Sequence, residues 1–206
     1  MISKRSRRKL VTSASGRAKK MDAKTGDRLA REKLRELVLH IAHQSQDDPA
    51  FGSTKLNKIL FFADFIAYRK HGRSITNAEY QKLEFGPAPR IIKPLLEDMI
   101  ENEAIVEQVV DRFGYRQKRI VPLKFPNLDD FTAEQIAVVD QIIMLLRQKN
   151  AKDVSDLSHD FIGWKLARFG ETIPYGVALV RRREPTETER AHGLSLKEEA
   201  EACLAR

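Results

Sequence analysis

The sequence predicts a mainly α-helical fold with a small β-hairpin (α+β), a winged-helix-like helical core followed by C-terminal helices. Three observations carry that expectation. Residues 54–71 form the most apolar helix-patterned run of the chain. A stiff segment, Phe85-Gly86-Pro87-Ala88-Pro89, comes next, and an amphipathic run opens directly after it. Two strand-like stretches then flank Gly114, a residue whose permissive backbone suits a hairpin turn. Three helices followed by a hairpin is the order of a winged helix-turn-helix.

The chain begins with an arm. Residues 1–24 hold nine basic residues against Asp22 alone, which accounts for the whole net charge of +8. The body is therefore neutral. The arm has no apolar periodicity, so it cannot bury enough surface to offset its ordering entropy and reads as disordered. It serves either as a solubilising leader or as a transient nucleic-acid contact. Basic as it is, it is followed by no apolar segment of the secretory kind. The single cysteine, Cys203, leaves no partner for an internal disulfide and fits a cytoplasmic location. No run reaches the ~18 apolar residues of a membrane span.

The expected organisation is a basic arm over 1–24, a domain over 25–181 and a charged extension over 182–206. Thr25 or Asp27 caps a first helix whose Leu34, Leu37, Val38 and Ile41 share a face. Gln44 to Gly52 is a polar loop. The core helix starts at a Ser53 cap. Leu56, Ile59, Leu60, Ala63, Ile66 and Ala67 line one side of it, and Phe61, Phe62, Phe65 and Tyr68 fill much of the rest. A helix apolar nearly all round must be surrounded by neighbours. His71-Gly72 ends it, because glycine takes the left-handed conformation that closes helices.

The prolines at 87 and 89 keep Gly86 and Ala88 out of the helical region, so that segment is extended. Pro94 fits the helix over 91–100 only within its first turn. Ala104 to Val110 and Arg116 to Leu123 are the hairpin strands. Thr132-Ala133-Glu134-Gln135 is a capping-box signature, opening a helix that turns Ile136, Val139, Ile142, Ile143 and Leu146 inwards and stops at Asn150. A shorter helix from Val154 carries Leu157 and Phe161 and breaks at Gly163. Ile173-Pro174-Tyr175 returns extended to the body. Ser195 and Glu198 are placed to cap a last helix with Leu196, Ala200, Cys203 and Leu204 on one side.

The residues Lys55-Leu56-x-Lys58-Ile59-Leu60-Phe61-Phe62-Ala63-Asp64-Phe65, then Gly72-Arg73-x-Ile75-Thr76-x-x-Glu79-Tyr80 and Phe85-Gly86-Pro87-x-Pro89, resemble the Panacea domain, the SocA-like antitoxin family. The later Asp153-Val154-Ser155-Asp156-Leu157-Ser158-His159, Trp164-Lys165 and Ile173-Pro174-Tyr175 are similar to its C-terminal signature. The likeness runs from about Leu34 to Val180. Phe85 stands where the pattern more often has tyrosine. The resemblance implies a cytoplasmic antitoxin, of bacterial or phage origin, that neutralises a partner toxin encoded beside it. One branch of the family acts as an adaptor that delivers the toxin to a protease.

An active site is not legible. No phosphate-cradling glycine loop occurs. His40 and His43 lack a third ligand at useful spacing and read as surface or cap residues rather than a zinc site. Ser158-His159-Asp160 are consecutive, whereas a triad is assembled from distant positions. His159 reads instead as ordering a helix end or bonding in the core. Asp64, on the core helix, must be paired with a nearby cation or face a groove. The expectation is therefore a binding protein without cofactor, metal or catalytic residues.

Two binding readings follow. For protein binding, the candidate contact residues are Tyr80, Glu84, Phe85, Pro87, Arg90, Lys93 and Trp164, because aromatics on semi-rigid segments bind with little loss of entropy. Tyr80 and Trp164 suit core packing equally. For DNA binding, as a regulator of its own operon, Arg112, Arg116, Lys118 and Arg119 lie on the hairpin. Glu97, Asp98, Glu101 and Glu103 on the helix that would enter the groove oppose it.

Overall fold

The computed structural model describes residues 26, 28–112, 115–180 and 185–204. The expected arm, the Thr25 and Asp27 caps and the Gly114 turn lie outside them. Helix α1 spans 28–44, and its predicted face is the buried one: Leu34, Leu37, Val38 and Ile41 are at most 1% exposed. Helix α2, Ser53–His71, is the hub, contacting α4, α5, a strand of each sheet and a late 3-10 turn. Gly52, not Ser53, is its N-cap, and no side chain caps it. A Cβ at Gly52 would lie 2.9 Å from the Lys118 carbonyl oxygen, so the hairpin approaches too closely for a side chain there. Gly72 closes α2 in the left-handed region at φ 71°.

Residues 72–91 are not the short turn of a helix-turn-helix. They carry two strands, β1 (Tyr80–Gln81) and β2 (Ala88–Pro89), which pair antiparallel. The intervening residues 82–87 make a tight elbow. Helix α3 follows at Ile92–Glu101, with Pro94 in its first turn as the missing N–H requires. The hairpin comes next, β3 (Ile105–Arg112) with β4 (Tyr115–Pro122), in register Ile105 to Pro122 and Gln108 to Arg119.

Helix α4, Ala133–Leu146, opens with the predicted capping box of Thr132 and Gln135. It buries Val138, Val139, Ile142, Ile143 and Leu146, with Ile136 only partly covered. Its end is Leu146. Asn150 instead starts helix α5, Ala151–His159, through a second capping box with Asp153. Along α5, Val154 is buried while Leu157 is 45% exposed. Gly163 does not break a helix but lies inside the short α6, Ile162–Leu166, where Ile173 and Val177 crowd it.

Strand β5, Thr172–Ile173, returns to pair with β1, so the first sheet has the order β2-β1-β5. A 3-10 turn follows at Tyr175–Leu179. The last helix, α7 (Glu187–Leu204), starts earlier than expected, because Thr186 and Glu189 bond each other's backbone as a cap. Its residues from Glu187 to Glu199 are all exposed. No described helix is long and apolar enough to cross a membrane.

Candidate functional site: the elbow and its buried charges

Three charged residues of α2 are buried, and each is satisfied differently. Lys55, 1% exposed, donates to Asp48 Oδ2 at 2.5 Å and to the carbonyls of Arg147 (3.1 Å) and Lys149 (2.7 Å). All three of its N–H groups thus have acceptors. It ties the loop before α2 to the end of α4. Asp64, 1% exposed, meets neither of its expected fates, cation or groove. Its Oδ1 accepts the backbone N–H groups of Ile75 (2.8 Å) and Thr76 (2.9 Å). Its Oδ2 accepts the hydroxyls of Thr76, Tyr80 (2.8 Å) and, more loosely, Tyr175 (3.3 Å).

Burial pushes the Asp64 carboxyl up, and hydrogen bonds from Thr76, Tyr80 and Ile75 oppose it. Burial first and the Asp64 charge second raise the phenols of Tyr80 and Tyr175. These groups stay protonated and donating. Around them Phe61, Phe65, Phe161, Tyr80 and Tyr175 form an aromatic cluster with ring centroids 4.4 to 6.2 Å apart. Asp64 is therefore a structural hub that joins α2, the loop over 74–80 and the 3-10 turn.

Lys58, the third, is 2% exposed and donates to the Pro87 carbonyl at 3.1 Å. Burial pushes its ammonium down to about 7. The turn above presses on it: Gly86 has φ 96°, and a Cβ there would lie 2.6 Å from Lys58 Cε and 2.3 Å from Ser158 Oγ. Only glycine fits that position, on conformation and on space.

The predicted contact residues divide between the outside and the inside of this elbow. Phe85 is 65% exposed, and Glu84, Arg90 and Lys93 are exposed too. Arg90 reaches across the sheet to the Gly170 carbonyl (3.0 Å) and Thr172 Oγ1 (2.9 Å). Tyr80 is 1% exposed and Pro87 is buried, so both act beneath the surface. Trp164 is half-buried, its Nε1 donating to the Leu83 carbonyl at 3.2 Å. His159 stacks on its ring at 3.9 Å, and Lys82 lies over it at 4.1 Å. His159 thus packs on Trp164 and bonds the Glu84 backbone, and burial followed by the Lys58 charge lowers its pKa.

Sequence reasoning missed Lys55 and Lys58. A signal was present: a helix apolar nearly all round leaves little wet face for any charge it carries.

The other candidates have other roles. His40 is buried against Asp140 at 2.7 Å, while His43 bonds the Lys124 carbonyl and stacks on Phe125. Among the described residues, no three metal-ligating side chains converge. On the hairpin, Arg119 donates to the Asp48 and Gln46 carbonyls and Lys118 pairs with Glu107 at 2.9 Å. Arg119 is thus turned towards the protein, whereas Arg116 and Lys118 stay exposed. A groove of about 530 Å³ lies between Phe62, Leu157, Phe161, Ile162 and Val180, with Arg69 and Asp160 lining it.

The sequence model of one family matches this chain over residues 56–165, from α2 through the elbow and hairpin to α6. It is described as antitoxin SocA-like, Panacea domain. No curated protein and no solved structure gives a match. The matched span contains Lys58, Asp64, the elbow and Trp164, and on that span the chain belongs to the SocA-like antitoxin family as a Panacea-domain protein.

Proposed function

We propose that this protein neutralises a toxin by direct protein–protein contact, with the outside of the elbow as part of the toxin-facing surface. Family membership implies a cognate toxin. The observation that carries the choice of surface is Phe85, an aromatic ring 65% exposed on a turn whose backbone is held from below. A preorganised aromatic loses little entropy on association, which is why such residues act as anchors. Glu84, Arg90 and Lys93 form a charged rim that orients the partner. Tyr80 and Pro87 contribute indirectly, by fixing the turn.

The test is co-expression with the toxin encoded beside the gene. The variant carrying Glu84→Lys and Phe85→Ala alters only exposed side chains, so its melting temperature should stay within a few degrees of wild type. Rescue of growth should be lost. Full rescue by this folded variant excludes the elbow and turns attention to the apolar groove beside Phe62. The toxin's lifetime during rescue separates two modes: a stable toxin means blocking, and a shortened lifetime means delivery to a protease.

A further inference from the structure

Three alternate carbonyls of the elbow turn inwards, and a different element holds each. Trp164 Nε1 of α6 donates to Leu83 at 3.2 Å, Ser155 Oγ of α5 to Phe85 at 3.1 Å, and Lys58 Nζ of α2 to Pro87 at 3.1 Å. The indole and the hydroxyl keep their charge at every ordinary pH. The lysine alone among the three can change it. Its surroundings suit an amine better than an ammonium: its one hydrogen-bond acceptor among the described residues is the neutral Pro87 carbonyl, and Gly86 packs against the end of the side chain. A cation in such a place recovers its hydration only if the cover lifts.

We propose that Lys58 is a proton-responsive latch for the elbow, its neutral amine favouring the closed turn and its ammonium favouring a lifted turn in which water reaches the nitrogen. This concerns the free protein and holds whether or not the elbow meets a toxin. The titratable group that faces Lys58 is His159 of α5, which itself bonds the Glu84 backbone of the elbow and feels the charges of Asp156 and Lys82. His159 and Lys58 repel each other when both are charged, so His159 is the competing switch to be excluded.

Hydrogen exchange at the Gly86 amide, which donates to the Leu83 carbonyl at 3.0 Å, reads the latch in the free protein. Base-catalysed exchange rises about tenfold per pH unit, while proton-linked opening falls about tenfold per unit once the closed-state amine is neutral. The two cancel. Between pH 7 and 9, above the Lys58 value of about 7, NMR-detected exchange at Gly86 should stay level in wild type and in His159→Gln. In Lys58→Met it should rise about a hundredfold, as a tenfold change per unit dictates. A hundredfold rise in wild type overturns the latch, as does a level profile that survives Lys58→Met or disappears in His159→Gln. Should Lys58→Met not fold, the carbon-13 shift of Lys58 Cε in wild type decides: titration near 7 supports the latch, and titration in the ordinary lysine range overturns it.

Discussion

Lys55 and Lys58 lie less than one turn apart on the same helix, are equally buried, and live in opposite electrostatic worlds. Lys55 has a carboxylate and two carbonyls, enough acceptors for all three of its protons. Lys58 has one carbonyl, and its ammonium is pushed from 10.5 to about 7. That displacement corresponds to roughly 5 kcal/mol in favour of the uncharged form. Burial alone therefore does not decide what a charge does to a fold. The count of acceptors within reach does. Lys55 holds its surroundings together, and Lys58 holds a turn under tension.

The comparison is most easily broken at Lys55. Replacing it with methionine strands the Asp48 carboxylate, itself 3% exposed, without its cation. Urea unfolding should show a loss of about 3–5 kcal/mol, the usual cost of breaking a buried pair. A loss below about 1 kcal/mol would mean that Asp48 finds water or another partner, and that the two lysines differ less than their acceptors suggest.

A smaller effect appears on titration. The folded-state value of Lys58 lies below the unfolded one, so between about 7 and 10.5 the unfolded chain binds more protons. Stability then rises with pH across that window by about 1.4 kcal/mol per unit, and this contribution is flat below pH 7. Relative to Lys58→Met, the wild type should gain about 2.7 kcal/mol between pH 7 and 9. Parallel stability curves for the two proteins would contradict the assignment.

The smallest effect is Lys58→Met at pH 7. Removing the desolvated amine relieves most of that roughly 5 kcal/mol, while leaving the Pro87 carbonyl without its donor costs about 1–3 kcal/mol, so only part of the gain survives. Stability should rise by about 2 kcal/mol over wild type. Calorimetry showing a loss as large as that of Lys55→Met would make the two lysines equivalent after all.

Much of the scaffold was legible because it depends on local chemistry. The apolar face of α1, the glycine stop at Gly72, the place of Pro94, the Thr132–Gln135 capping box and the hairpin all follow from signals within a few residues. Where several local signals competed, boundaries moved. Asn150 serves as the cap of α5 rather than the stop of α4, and Thr186 rather than Ser195 opens α7. The β2-β1-β5 sheet was not legible as a sheet. Two-residue strands carry no period, and the pairing of Tyr80 with Ile173 spans most of the domain. The exposed rim of the elbow was anticipated at Glu84, Phe85, Arg90 and Lys93. That Tyr80 and Pro87 lie beneath it depends on tertiary contacts that no local pattern encodes.

The lateness of β5 has a consequence for synthesis. The chain leaves the ribosome from its N-terminal end, so α2 and the whole elbow emerge long before Thr172 and Tyr175. Until then β1 has a partner on one edge only, and Asp64 lacks the Tyr175 hydroxyl that later reaches it from 111 positions downstream. The nascent chain thus carries an unfinished β2-β1-β5 sheet until residues 172–173 have emerged. If the elbow is the neutralising surface, a chain stalled before residue 172 would carry the family's matched span yet lack the strand that finishes it.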